Sequence, residues 1–221
     1  MPWQAVAPAI WEAVNGPAVY AWPIRPSAIQ RLHDIAPAIA AGLTHEQINE
    51  GGGEALRQAI SASLVNGDTD IRSRLHNWIV GSWGGINTAP PPDWVDAMAP
   101  YDAETVHQFA ENMGNERVSS WSKILAFADH AQYAISDSRT ATALNIALSL
   151  IGDDRRFFMP LGRSLLMQQA QALLDDGPYS YLDYLQLVDA FVNQDLCPSI
   201  LVAEQVLFAN APGLAQAFVA G

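Results

Sequence analysis

Three observations predict an all-α fold. Apolar residues recur at helical spacing along almost the whole chain, no stretch longer than four residues alternates as a strand would, and no internal repeat stands out. Half of the 221 residues are hydrophobic and only 15% are charged, a balance that excludes a disordered tail or a coiled coil. A chain of this length buries roughly 70% of its unfolded surface on folding, so it needs no disulfide or metal staple. The expectation is one domain over residues 1–221 with about eight or nine helices. A division into two small lobes would fall near residues 89–93.

Taken in order, Thr44-His-Glu-Gln is a capping-box pattern, a hydroxyl cap with a glutamine three residues on. From Glu54 to Val65, Leu56, Ala59, Ile60 and Leu64 share one face, and Asn66-Gly67-Asp68 stops the helix. A second amphipathic stretch, Thr69 to about Trp83, carries Ile71, Leu75, Trp78, Ile79 and Trp83 and ends at Gly84-Gly85. Three successive prolines make Ala89–Asp93 the clearest linker. Asp102 caps a helix over Ala103–Met113, and Ser119 or Ser120 caps a short one ending near Ala128. Residues 129–136 read as an extended connection. Ser136 or Asp137 then caps a long apolar helix, Ser138–Ile151, stopped by Gly152. Helices over about Gly162–Leu174, Pro178–Asn193 and Pro198–Asn210 complete the chain.

Eleven basic residues against 23 acidic ones give a net charge of −12, which argues against general affinity for nucleic acid. The charge is uneven: Arg117–Arg163 holds six bases and four acids, and the remainder five bases and 19 acids. Ten of the eleven bases are arginine, and Lys123 is the only lysine. The single cysteine, Cys197, excludes a disulfide scaffold and a cysteine-based zinc site, and favours a reducing compartment. No apolar run reaches the ~18 residues of a membrane span, and the N-terminus lacks a basic segment. The expectation is a cytoplasmic protein.

Nucleotide-binding loops, His-x-x-x-His pairs and nucleophile elbows are all missing, and the five histidines are dispersed, so no metal or cofactor is expected. What remains is the segment from Val118 to Arg139. It sets one amine, Lys123, among Trp121, Ile124, Leu125 and Phe127, and one carboxylate, Asp137, at the start of the next helix. Desolvation disfavours an ammonium and leaves a more nucleophilic amine. A carboxylate at a helix N-cap accepts backbone N–H bonds and is held in a fixed direction. Such a pair suits cleavage of a glycosidic bond, the carboxylate supporting oxocarbenium-like charge and the amine attacking the anomeric carbon. A purely structural reading stands beside it, with Asp137 an ordinary cap and Lys123 reaching its head to solvent.

The same segment resembles the catalytic region of the helix-hairpin-helix DNA glycosylase superfamily, in particular the 8-oxoguanine DNA glycosylase branch. In that family a lysine opens a helix after the hairpin and an aspartate caps a following helix, which Lys123 and Asp137 match in order. Ala203-Glu-Gln-Val-Leu-Phe-Ala is similar to the family's last core helix, where a phenylalanine stacks on the extruded base and a glutamine one turn earlier reads its edge. Phe208 falls on the stacking position and Glu204 on the edge-reading one. The resemblance also implies Phe127 and Trp121 near the base, and Ser119, Ser120 and Arg139 as phosphate or DNA contacts. The residues before Lys123 lack the family's Gly-hydrophobic-Gly turn, and Glu204, an acceptor only, suits a guanine-like edge.

The implied activity is excision of a damaged or modified base from DNA, with or without strand cleavage through a Schiff base on Lys123. Two other functions stay open. One is hydrolysis of a free modified nucleoside, for which an acidic surface is no handicap. The other is a non-catalytic interaction module that keeps the helical core.

Overall fold

The computed structural model describes residues 2–44, 47 and 53–221. The protein is all-helical: among the described residues it has twelve helices, is 64% helical and has no strand. The helices are α1 (Ala7–Val14), α2 (Pro26–Ile35), α3 (Pro37–Ala41), α4 (Glu54–Asn66), α5 (Thr69–Asn77), α6 (Trp94–Met98), α7 (Ala103–Met113), α8 (Val118–Ala128), α9 (Ser138–Leu150), α10 (Leu165–Ala172), α11 (Tyr181–Asn193) and α12 (Ile200–Ala220). Twelve exceeds the expected eight or nine because several helices are too short to show a period. Both α2 and α3 start directly on a proline, whose fixed φ suits the first helical position and whose missing N–H costs nothing there.

Some boundaries differ for identifiable reasons. Thr44 and Gln47 exchange both capping-box hydrogen bonds (2.9 and 3.1 Å), but residues 45, 46 and 48–52 lie outside the described residues. The stretch after α5 tightens no further as an α-helix; Trp78–Trp83 winds as a π-helix. Ser119 and Ser120 are not caps, because α8 already begins at Val118. A four-residue turn leads into it, with Gly114 and Arg117 at φ +54° and +52°. Residues 129–136 are extended only in their second half, since Asp129 closes a turn by accepting from the Tyr133 amide at 2.9 Å. The last helix runs past Asn210 and through Pro212 to Ala220. Proline removes one helical hydrogen bond there, yet Ala215, Leu214 and Phe218 pack with Ile146, Met167 and Ala170, and that burial holds the extra turns.

The chain divides into two compact units, one of Met1–Tyr20, Gly114–Ser119 and Ala134–Gly221, the other of Ala21–Met113 and Ser120–Tyr133. The division falls within α8, and residues 89–93 lie inside the second unit.

In the first unit α9 is buried along most of its length and packs against α1, α10 and α12. Its one amide, Asn145, is fully buried and exchanges two 2.8 Å hydrogen bonds with the backbone N–H and C=O of Phe157. An apolar helix thereby carries one polar residue that ties a loop to the core without leaving an orphaned group. In the second unit the core is aromatic. Trp78 and Trp83 meet the Phe127 ring edge-on at 6.3 and 4.9 Å, and Phe109 meets Trp94 and Trp121 at 5.9 and 5.8 Å. The Trp78 indole N–H donates to the Ala28 carbonyl at 2.7 Å, fixing α2 against the π-helix.

His76 is buried in the second unit with Nε2 at 2.9 Å from the Tyr101 hydroxyl, while Nδ1 has no partner among the described residues. Burial, reinforced by the Arg72 cation, lowers the imidazole from 6.5 to about 4. The unfolded chain takes up this proton near pH 6.5 and the folded chain does not, so stability present above pH 6.5 is lost as the pH falls toward 4. Denaturant unfolding should show up to about 3 kcal/mol lost across that window. His76→Gln should remove the corresponding slope; an unchanged slope would assign it to other groups.

Candidate active site

Asp137 is the N-cap of α9. Its Oδ1 accepts from the Arg139 and Thr140 amides at 2.9 and 3.3 Å, and its own N–H donates to the Thr140 hydroxyl at 2.9 Å, a complete capping box. The box requires a side-chain acceptor at the third helical position, and this sequence supplies it as the Thr140 hydroxyl.

The four residues leading to this cap are buried yet non-helical, so each backbone group needs a partner. Tyr181 Oη donates to the Ala134 carbonyl at 2.9 Å, and Tyr184 Oη to the Ile135 carbonyl at 3.1 Å. The Ile135 amide donates to Glu204 Oε2 at 2.7 Å, a short charge-assisted bond. Thr140 Oγ1 also lies 3.3 Å from the Ile135 carbonyl. Burial pushes the Tyr184 hydroxyl well above its ordinary range, helped by the Glu204 carboxylate and, less, by Tyr181 and Asp137, so the phenol remains a donor.

Phe208 lies one turn beyond Glu204 on α12. The Arg139 guanidinium sits 4.4 Å from the centroid of its ring, and the Tyr20 ring lies 5.5 Å away. One unit thus brings together Asp137, Arg139, Glu204 and Phe208, with Ser119 in the same unit. Arg139 is half-buried with its guanidinium over an aromatic face, which leaves its in-plane N–H donors for other partners. Beside Ser136, Tyr181 and Tyr184 there is a cavity of only about 10 Å³, the size of one water.

Lys123, Trp121, Phe127 and Ser120 belong to the other unit. Lys123 is 5% exposed, which is not the solvent-reaching side chain of the purely structural reading. Its stem passes Gly84, where a Cβ would stand 2.9 Å from Lys123 Cδ and equally close to the Ile79 and Val80 carbonyls. A glycine after the π-helix therefore makes room for the lysine. Trp121 and Phe127 are fully buried in the aromatic core, and Ser120 is buried in the first turn of α8. Arg57 places its guanidinium 5.6 Å from the Phe127 centroid.

The sequence reading did not single out Tyr181, Tyr184, Thr140 or Tyr20. Tyr181 and Tyr184 are spaced i, i+3 on α11 and so share a helix face, and the spacing of Thr140 from Asp137 was visible as a capping box. Tyr20 carries no local signal, since its partner is 188 positions on. Among the described residues no group of three His, Cys, Asp or Glu side chains is arranged to hold a metal. None of the helices is long and apolar enough to cross a membrane. Compared with known proteins, the chain matches no family model, no curated protein and no solved structure.

Removing the Glu204 acceptor leaves the buried Ile135 amide unpaired. Glu204→Ala should cost about 1–3 kcal/mol in denaturant unfolding, and Glu204→Gln, which keeps an acceptor oxygen, distinctly less. Equal losses in the two variants would mean that the bond to Ile135 is not what Glu204 contributes.

Proposed function

We propose that the chain is an N-glycosidase of the helix-hairpin-helix DNA glycosylase type, excising a damaged or modified base from DNA. The observation that carries the reading is the Asp137 cap, whose carboxylate is fixed by the first amides of α9 and approached through a buried segment held by Tyr181, Tyr184, Glu204 and Thr140. Support also comes from the helix pair α7 and α8, joined by a four-residue turn, with a buried lysine on the second helix.

In this reading the bond between the base nitrogen and the sugar C1′ lengthens, positive charge develops on the sugar, and Asp137 stabilises it. The base departs with the bonding electron pair and is protonated. Attack by the Lys123 amine on C1′ gives, after opening of the sugar ring, a Schiff base from which strand cleavage follows; attack by water gives an abasic site. The Phe208 face offers stacking once Arg139 swings away, and the guanidinium's in-plane donors are available to a phosphate. Glu204 already spends one oxygen on Ile135, so its first contribution is to hold the segment that ends in Asp137.

One observation favours a second reading, hydrolysis of a free modified nucleoside. The first unit has five bases and eleven acids and the second six bases and twelve acids, so neither is basic overall. A DNA substrate should lose affinity steeply with added salt, and a nucleoside should not.

Asparagine caps a helix about as well as aspartate, whereas alanine does not. Asp137→Asn should therefore keep thermal stability and slow base release from oligonucleotides carrying 8-oxoguanine or modified cytosines by about a hundredfold or more. Asp137→Ala should in addition lose about 1 kcal/mol of stability. Wild-type turnover in Asp137→Asn would refute the mechanism.

A further inference from the structure

A separate cleft of about 630 Å³ lies in the second unit, between α2, α5 and the π-helix. Its walls include Arg25, Arg31, Arg74, Asp34, Ser82 and the side of the buried Trp78. This unit has only six bases and is acidic overall, yet three of the six line this one concavity.

The arginines are poorly matched by carboxylates. The Arg25 backbone carbonyl accepts from the Ala28 and Ile29 amides, but its guanidinium makes no hydrogen bond or ion pair among the described residues. Arg31 donates only to a neutral acceptor, the Ser82 hydroxyl, at 3.2 Å. Arg74 donates to the Asp34 carbonyl at 3.2 Å and lies 3.7 Å from Asp70, a pair in which both side chains are largely exposed. Exposed pairs of this kind contribute little. The lining's one carboxylate, Asp34, is engaged by the Gln30 side chain at 3.0 Å.

Three guanidiniums, each a planar fork of donors, thus face a concave wall whose low dielectric focuses their field. Guanidinium forks match phosphate oxygens in pairs, and a volume of this size accommodates a whole small ligand rather than a bare ion. We infer that this cleft binds a phosphate ester. The same chemistry is presented by the phosphomonoester of a free nucleotide and by the phosphodiester of a nucleic-acid strand. The inference does not rest on the glycosidase reading.

Calorimetric titration at low salt with deoxyguanosine monophosphate, deoxyguanosine and a single-stranded 12-mer tests it on the intact chain. The monophosphate should bind at least about tenfold more tightly than the nucleoside. The double variant Arg25→Ala/Arg31→Ala should lose at least about tenfold of that affinity at unchanged melting temperature, because both side chains are exposed. Asp34→Asn, which removes the one carboxylate of the lining, should tighten binding about twofold or more. If the source is a strand, the double variant should also weaken the 12-mer and lower its salt slope by roughly 1.4. If the 12-mer is unaffected while the monophosphate is lost, the ligand is a free nucleotide. Equal binding of monophosphate and nucleoside, or a double variant that binds like the wild type, would overturn the inference. Base release plays no part in these readouts, so failure here leaves the glycosidase reading standing, and the reverse also holds.

Discussion

Residues 134–137 are the constraint on which the first unit's candidate chemistry depends. They run extended through the core between a turn and a helix, where neither ladder nor helix satisfies the backbone. Leaving one buried amide or carbonyl unpaired costs about 1–3 kcal/mol, so a segment with several such groups is untenable without dedicated partners. Two tyrosines of α11, the carboxylate of Glu204 and the hydroxyl of Thr140 supply them. The consequence is positional. These bonds hold the path by which the chain enters α9, and Asp137 reaches the helix N-terminus with its carboxylate direction set by two amides.

The second unit solves a different problem. It holds the chain's only lysine in a nearly solvent-free setting on α8, and the surrounding structure accepts it through small geometry rather than through bulk. Gly84 leaves space that any Cβ would fill, and the π-helix before it widens the turn just ahead of that glycine. Close by, Trp83 and Trp78 pack edge-on against Phe127, so the amine's helix is fixed from its apolar side. His76 and Tyr101 form a further buried polar pair in this unit, and burial holds the tyrosine hydroxyl up at about 12, so it stays protonated beside the neutral imidazole.

Much of this was legible in the sequence. Caps at Asp102 and Asp137 obey local rules and were read from the residue and its spacing, whereas Ser164, Ser180 and Ser199 obey the same rules but the helices after them were set to start two or three residues early, near Gly162, Pro178 and Pro198. Helix ends set by packing were not legible. The turns of α12 beyond Pro212 exist because Ala215 and Phe218 find α10, which no local pattern encodes. The candidate site divides the same way. Asp137 and its box are local and were readable. The bond from Glu204 to Ile135 spans 69 positions and the Arg139–Phe208 stack a similar distance, so the roles of those side chains emerge only from the fold. Trp121 and Phe127, legible as aromatic residues beside the lysine, turn out to be the centre of a core.

The central proposal is that the chain is an N-glycosidase using Lys123 and Asp137, and one measurement addresses it directly. Borohydride reduction in the presence of oligonucleotides bearing 8-oxoguanine, an abasic site or modified cytosines, followed by peptide mass mapping, locates any covalent intermediate. Because Lys123 is the only lysine, the adduct can fall only there or on the terminal amine. The account predicts a reduced adduct on the peptide containing Lys123, absent from Lys123→Ala. Unmodified protein together with substrates that keep every base would contradict it.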